Sequence, residues 1–432
     1  MKRFYAVLVN TLIANVTTSY LWFALTFWLY LQTRSVLATA IVGGAYMLLI
    51  AFCGLLFGTF VDKNYKKHVM LVSSIVSTTA YISAGILYLV VGEHRLADLS
   101  SPILWLFAGI VLAGAVVENL RNIALSTTVT ILVPKNQRDK ANGLIGSVSG
   151  VAFLVTSVLS GLSIGFLGLG WTLAVAIGLT ITALLHIMTV KIPEKKIVHD
   201  PKLAGKHIDI KGAMKAIALV PGLWALLFFS VFNNLIGGVF MSLMDPYGLT
   251  LFSVQIWGIM LAITSIGFIA GGLAVAKFGL GKKPLRTLLY VNIITSLVGM
   301  LFTIREFAWV YVVGIFFYMC FMPVAQAAEQ VILQRIVPLA KQGRVFGLKQ
   351  SMEAAAAPIT AFIIGPIAQF MVIPYMRGQG QQDFAWLLGY GQMRGIALIF
   401  IIASLIMLVI TTLAFRSKAY RTISREYSEA KQ

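Results

Sequence analysis

Residues 36–91 read VLATAIVGGAYMLLIAFCGLLFGTFVDKNYKKHVMLVSSIVSTTAYISAGILYLVV. An apolar run over 36–61 meets the short polar segment Asp62 to His68, which carries Lys63, Lys66 and Lys67. A second apolar run follows over 69–91. About 20 apolar residues suffice for a helix to cross the hydrocarbon core of a bilayer. Both runs reach that length, and they are too long and too uniformly apolar for barrel strands. The stretch reads as two membrane-spanning helices joined by a basic turn.

The same pattern continues outward to both ends. Further runs cover 4–31, 102–133, 143–166, 169–190, 220–244, 252–276, 287–304, 308–337, 347–374 and 394–415, which makes twelve spans. Of 432 residues, 59% are hydrophobic and 11% charged, where a soluble domain is roughly 25% charged. Mean hydropathy is +0.88. So few charges cannot cover a soluble surface, and extended disorder, a disulfide scaffold and a fibrous repeat are excluded too. Cys53 and Cys320 lie inside apolar runs and read as small buried hydrophobes. The five His are scattered, so neither a metal site nor a cofactor is expected. Met1-Lys2-Arg3 precedes an apolar run too long for a signal peptide, which reads as an uncleaved first span.

The net charge of +19 would suggest nucleic acid in a soluble protein. Here position decides otherwise. With the N-terminus in the cytoplasm, 28 of the 34 Lys and Arg fall on the inner side, as the positive-inside rule requires. The excess is a topology signal and predicts cytoplasmic termini. The longest inner segment, Lys191 to Lys215, splits the spans six and six. The expected organisation is a bundle over 1–190, a linker over 191–218, a second bundle over 219–416 and a tail over 417–432. The halves also repeat. An offset of 204 carries Val133-Pro134, Gly143-Leu144, Ser147 and Gly161 onto Val337-Pro338, Gly347-Leu348, Ser351 and Gly365. Parallel repeats imply a pseudo-twofold axis along the membrane normal, with a substrate site between the halves.

Within that frame the turn at Gly58-Thr-Phe-Val-Asp62-Lys63-Asn-Tyr65-Lys66-Lys67 resembles the signature loop of the major facilitator superfamily, Gly-x-Leu-x-Asp-Arg-x-Gly-Arg-Arg/Lys. Gly58, Asp62, Lys63, Lys66 and Lys67 match, whereas Tyr65 replaces the second glycine. Gly272-Leu-Ala-Val-Ala276-Lys277-Phe-Gly279 is a degenerate second copy without the acid. The resemblance implies an all-α integral membrane protein with twelve helices in two pseudo-symmetric six-helix bundles, and a gating role for Asp62 and its neighbours. Val133-Pro134 to Asn142-Gly143-Leu144, Gln334-Arg335-Ile336-Val337-Pro338 to Gly343-Arg344-Val345-Phe346, and Arg394-Gly395 to Arg421 are similar to the bacterial drug and macrolide efflux branch. The Gly-Pro pair that drug antiporters often carry in the fifth helix is absent here, and Gly365-Pro366 stands in the eleventh span.

Charge at bilayer depth costs at least about 2.5–3.5 kcal/mol, so intramembrane charges are the candidate site. Glu118 and Arg121 lie three residues apart on one helix face. They form either a proton site tuned by the arginine or a neutralised pair that holds the bundle together. Glu329 and Glu353 are either a proton pair or the lining of an inner vestibule. Asp245, before Pro246, ends the seventh helix as a turn residue or an outer gate. Asn119, Asn233 and Asn234 are cavity candidates. The Gly- and Gln-rich loop 375–393 reads as a cap over the outer vestibule. No phosphate-binding loop or nucleophile elbow appears, so no enzyme activity is expected. The resulting expectation is a secondary transporter in a bacterial plasma membrane, acting as a monomer. It exports hydrophobic or cationic drug-like solutes, with protons as coupling ion. Export or flipping of an endogenous amphiphile such as a lysolipid or siderophore, and a non-transporting scaffold or sensor, are the alternatives.

Overall fold

The computed structural model describes residues 2–33, 36–194, 210–391 and 393–429. All regular structure among them is helical. Eleven helical stretches are long and apolar enough to cross a membrane. One of these, Lys135–Thr189, has 55 residues, about 80 Å at 1.5 Å per residue against a hydrocarbon core of about 30 Å. Gly168, at φ 74°, breaks it in two, so the described residues hold twelve helices of spanning length.

The spans are α1 Lys2–Thr33, α2 Val36–Lys63, α3 Lys66–Val91, α4 Pro102–Leu132, α5 Arg138–Leu162, α6 Gly168–Thr189, α7 Leu223–Leu251, α8 Val254–Phe278, α9 Pro284–Leu301, α10 Ala308–Ile336, α11 Leu339–Pro366 and α12 Arg394–Arg416. In the first six, α1 packs on α6, α2 on α4, and α3 on both α4 and α6. The second six repeat the scheme, with α7 on α12, α8 on α10, and α9 on α10 and α12. The repeat extends to a local irregularity. α5 passes into a π-helical stretch, Ser163–Leu167, and α11 into another, Ile367–Val372. The two starts are again 204 residues apart.

The chain divides into two compact units. One comprises Met1–Arg138, Val151–Ala216 and Val337–Ser351. The other comprises Asp139–Gly150, Ile217–Ile336 and Met352–Gln432. The chain thus changes unit inside α5 and inside α11. The first unit is centred on Tyr20, Trp28, Tyr81 and Phe107. The second is centred on an aromatic stack of Phe240, Phe302, Tyr311 and Phe400.

Glycine makes both exchanges possible. In the first unit Gly54 and Gly58 of α2 face Gly343 and Gly347 of α11. A Cβ at Gly347 would sit 2.8 Å from Gly58 Cα and 3.0 Å from its nitrogen. In the second unit, a Cβ at Gly143 of α5 would lie 2.7 Å from both Gly272 O and Val275 Cβ of α8. Small residues four apart let helix backbones touch. A valine at position 347 has only backbone to push against, so Gly347→Val should cost about 3 kcal/mol by overpacking. Gly44→Ala on α2, with open space around it, should be neutral or stabilising. Thermal melting of the two variants in detergent checks the contrast.

Several element limits differ from the sequence reading. α11 begins at Leu339, not 347, because its polar first turns find partners. Gln342, Gly343, Arg344, Val345 and Phe346 are all buried there. α7 runs through Asp245-Pro246 to Leu251. Pro246 removes one helical N–H, and the nearby Met244 carbonyl accepts from Tyr311 Oη at 2.7 Å. The segment read as a cap is not irregular throughout its described residues. It is helical over Gln379–Leu388, and Arg305 donates to the carbonyls of Leu387 and Trp386. Trp386 in this helix and Trp309 in the first turn of α10 are exposed, as aromatics at a membrane–water interface are. Most of the basic linker, 195–209, lies outside the described residues. Beyond it runs a short helix, Ile210–Ala218. The tail is also helical, over Lys418–Glu429. It docks through buried Ile423 against Gly222 and through Tyr427, whose ring carries the Arg335 guanidinium at 4.2 Å.

Candidate functional site

Three polar clusters hold the residues singled out from the sequence. The first lies within the first unit. Arg121 is 0% and Glu118 7% exposed. Their ion pair measures 3.0 Å, from Nε to Oε2. Ser77 donates to the other Glu118 oxygen at 2.6 Å. The remaining guanidinium nitrogens reach Asn10 Oδ1 and Ser74 Oγ, and Asn10 Nδ2 donates to Ala183 O at 2.7 Å. One arginine thereby ties α1, α3 and α4 together, with α6 reached through Asn10. Both carboxylate oxygens are engaged, as a buried charge requires. Ser74 and Ser77 were not singled out from the sequence. The run Ser73, Ser74, Ser77, Thr78 on one face of α3 is the signal that could have pointed to them.

The second cluster lies within the second unit. Ser230 of α7 stands between two carboxyls. Its Oγ is 2.9 Å from Glu329 Oε2 on α10 and also in hydrogen-bond contact with Glu353 Oε1 on α11. The earlier start of α11 puts Glu353 fourteen residues into its helix, about 21 Å along the axis. The two acids were legible as a possible pair, but Ser230 was not, because a lone serine in a span carries no signal.

The third cluster is at the turn between α2 and α3. Asp62 is 2% exposed. It accepts from Gly343 N at 2.6 Å and Arg344 N at 3.0 Å, near the start of α11, and pairs with Arg344 Nε at 3.1 Å. Arg344 is itself buried. The positive end of the helix and the guanidinium together neutralise the carboxylate. Lys66 donates to Val61 O at 2.8 Å and pairs with Glu194 at 3.4 Å. Lys67 donates to Met188 O at 2.8 Å. These two fasten the turn to the end of α6 and the segment after it. Lys63 is half-buried beside them.

Asn119 of α4 accepts from Gln350 of α11 at 2.8 Å. Asn233 donates to Asn292 Oδ1 of α9 at 2.8 Å, and the two border a small pocket with Phe240, Tyr318 and Ser404. Asn234 turns back to Ser230 O. Asp245 accepts from Trp257 Nε1 at 2.9 Å. Near it Arg394, fully buried, pairs with Glu306 at 2.9 Å and donates to Tyr247 Oη at 2.7 Å. Among the described residues no group of His, Cys, Asp and Glu could hold a metal ion.

Twelve helices in two packing-equivalent sets of six, with paired glycines where chain segments exchange, define a transporter architecture. The sequence profile of the Major Facilitator Superfamily matches residues 7–361, and the chain belongs to that family. It is a multi-pass membrane protein whose family members are transporters. Macrolide efflux protein A of Streptococcus pyogenes is 21% identical over 374 residues, 83% of this chain and 87% of that protein. The E. coli fucose:proton symporter superposes with a TM-score of 0.70 at 12% identity, covering 97% of this chain and 99% of that one. For the human organic anion transporter MFSD10 the values are 0.67 and 16%, covering 95% and 99%.

Proposed function

We propose that the protein exports hydrophobic or cationic drug-like compounds across a bacterial plasma membrane, by proton-coupled alternating access. The distant likeness to a macrolide efflux protein supports the substrate class. The basic loops support cytoplasmic termini. In this reading Asp62 and Arg344 close the inner side. Asn119, Asn233 and Asn234 contribute to substrate binding, and Asp245 belongs to the outer gate.

The observation that carries proton coupling is Ser230 between Glu329 and Glu353. A hydroxyl has one proton to donate. With both carboxyls ionised, Ser230 serves only one of them, and two negative charges share a site at bilayer depth, where charge is costly. With one proton on the pair, the neutral carboxyl donates to Ser230 Oγ while Ser230 donates to the other, and both contacts become hydrogen bonds. The protons of such a pair belong to the pair and not to either residue. Buried Lys349, one turn earlier on α11, supplies a cation on that helix. Separation of α7 from α10 and α11 breaks the bridge and frees the proton.

The test uses purified protein in liposomes with a trapped fluorescent pH reporter and an imposed gradient of ethidium or erythromycin. Substrate-dependent proton movement is expected from the wild type, with a loss of about tenfold or more in Glu329→Gln and Glu353→Gln. Unchanged proton movement in both variants overturns the coupling assignment. No proton movement with any such compound, while fluorescent lipid analogues still cross, overturns drug export in favour of an amphiphile.

A further inference from the structure

We propose that Asp139 is a second inner latch, replacing the acid missing from the second signature loop. The proposal rests on the alternating-access reading above, and Asp139 acts in it as a positioning residue.

The two repeats exchange residues at their signature loops. In the first signature loop the acid is present, as Asp62, and the second glycine is lost to Tyr65. In the second loop the acid is lost to Ala276 and the glycine is present, as Gly279. The partner helices show the reverse. At the repeat offset of 204, Gly343 of α11 corresponds to Asp139 of α5, and Arg344 corresponds to Lys140. Each pairing therefore has one acid, on opposite helices.

The geometry makes both pairings close. In the first unit Asp62, at the end of α2, accepts from backbone N–H groups in the first turns of α11. In the second unit Asp139, in the first turn of α5, accepts from Leu280 N at 3.2 Å, just past the end of α8. Gly279 turns that N–H toward it. Its φ is 73° with ψ −172°, a conformation essentially reserved for glycine. A Cβ there would also meet the Asp139 carboxylate at 2.5 Å. Leu280 is fixed in turn, because its carbonyl accepts from Thr287 Oγ1 at 2.7 Å. Further along the same helix pair, Gly143 meets Gly272 and Ser147 donates to Ile269 O at 3.3 Å. Asn142 and Gln334 add a two-way amide bridge, at 2.8 and 3.3 Å. The second loop is thus the first contact with donor and acceptor exchanged, and the missing acid is no loss of function.

The experiment reads inner-side opening in the full-length protein. A Ser351→Cys reporter sits on the α2–α11 contact, away from Asp139, in a background with Cys53→Ala and Cys320→Ala. Labelling by a membrane-impermeant maleimide is followed in inside-out vesicles. Asp139→Ala should raise the labelling rate about tenfold, the scale of one charge-assisted hydrogen bond. Asp139→Gly combined with Ala276→Asp rebuilds the first repeat's acid-to-backbone arrangement, with Lys140 at the position equivalent to Arg344 in the repeat, and should return labelling to the wild-type rate. A merely structural role for Asp139 predicts no such rescue. Asp62→Asn is the positive control. If it raises labelling while Asp139→Ala does not, or if the double variant stays as open as the single, the second latch is overturned. If Asp62→Asn itself has no effect, the alternating-access reading fails instead.

Discussion

Arg121→Met should abolish most of the folded protein. The substitution leaves the Glu118 carboxylate buried without its counter-ion, and leaves Asn10 Oδ1 and Ser74 Oγ without the donor that joined them. Removing one partner of a buried pair costs about 3–5 kcal/mol, a large share of the ~5–15 kcal/mol that holds a typical domain folded. The measurement is the monodisperse yield and melting temperature of the purified variant. Replacing both partners removes the stranded charge, so Arg121→Met with Glu118→Gln should recover most of the fold. The rescued double variant then separates the two readings of the pair. If it still moves protons with substrate, the pair only fastens α1, α3 and α4. If it folds but no longer couples, Glu118 belongs to the proton path.

The second large effect is expected at Asp62. Asp62→Ala removes an ion pair with Arg344 and two backbone hydrogen bonds, all buried. It takes this acceptor away from Arg344 Nε and from the Gly343 and Arg344 N–H groups. Each charge-assisted bond contributes about 1.5–3 kcal/mol, so the closed arrangement of this end should be disfavoured by roughly 3 kcal/mol or more, a factor of a hundred or more in population. Transport in liposomes should fall by at least about tenfold, with melting lowered far less than in Arg121→Met, because the opened state of the cycle remains available. Equal losses of fold in the two variants would show that the Asp62 contact holds the structure together in every state.

The lipid crossing count was legible because it depends on composition alone. A run of about 20 apolar residues has few fates other than crossing a bilayer. The repeat was legible because glycines and prolines mark backbone geometry directly, as Gly143 and Gly347 do. The polar opening of α11 was not. LAKQGRV has the composition of a loop, and it becomes helix because Asp62, far away in sequence, accepts its N–H groups. Asp245 misled for a related reason. A proline beside an acid reads as a helix end, yet the helix continues through it. Glu118 and Arg121 could be paired from their spacing, whereas the serine run on α3 marks a polar face without saying what it meets.

Sequence alone marks this chain as a twelve-span membrane protein of duplicated design and shows which few charges lie within its membrane segments. Hydrophobic length and internal periodicity are local properties and survive translation into one dimension. Which charge meets which partner depends on the packed fold. It placed one serine between two carboxyls and Arg121 among three helices, and it set an aspartate on opposite sides of the two glycine contacts. Hydrogen bonds act over about 3 Å, and residues a hundred or more positions apart come within that range only when helices pack.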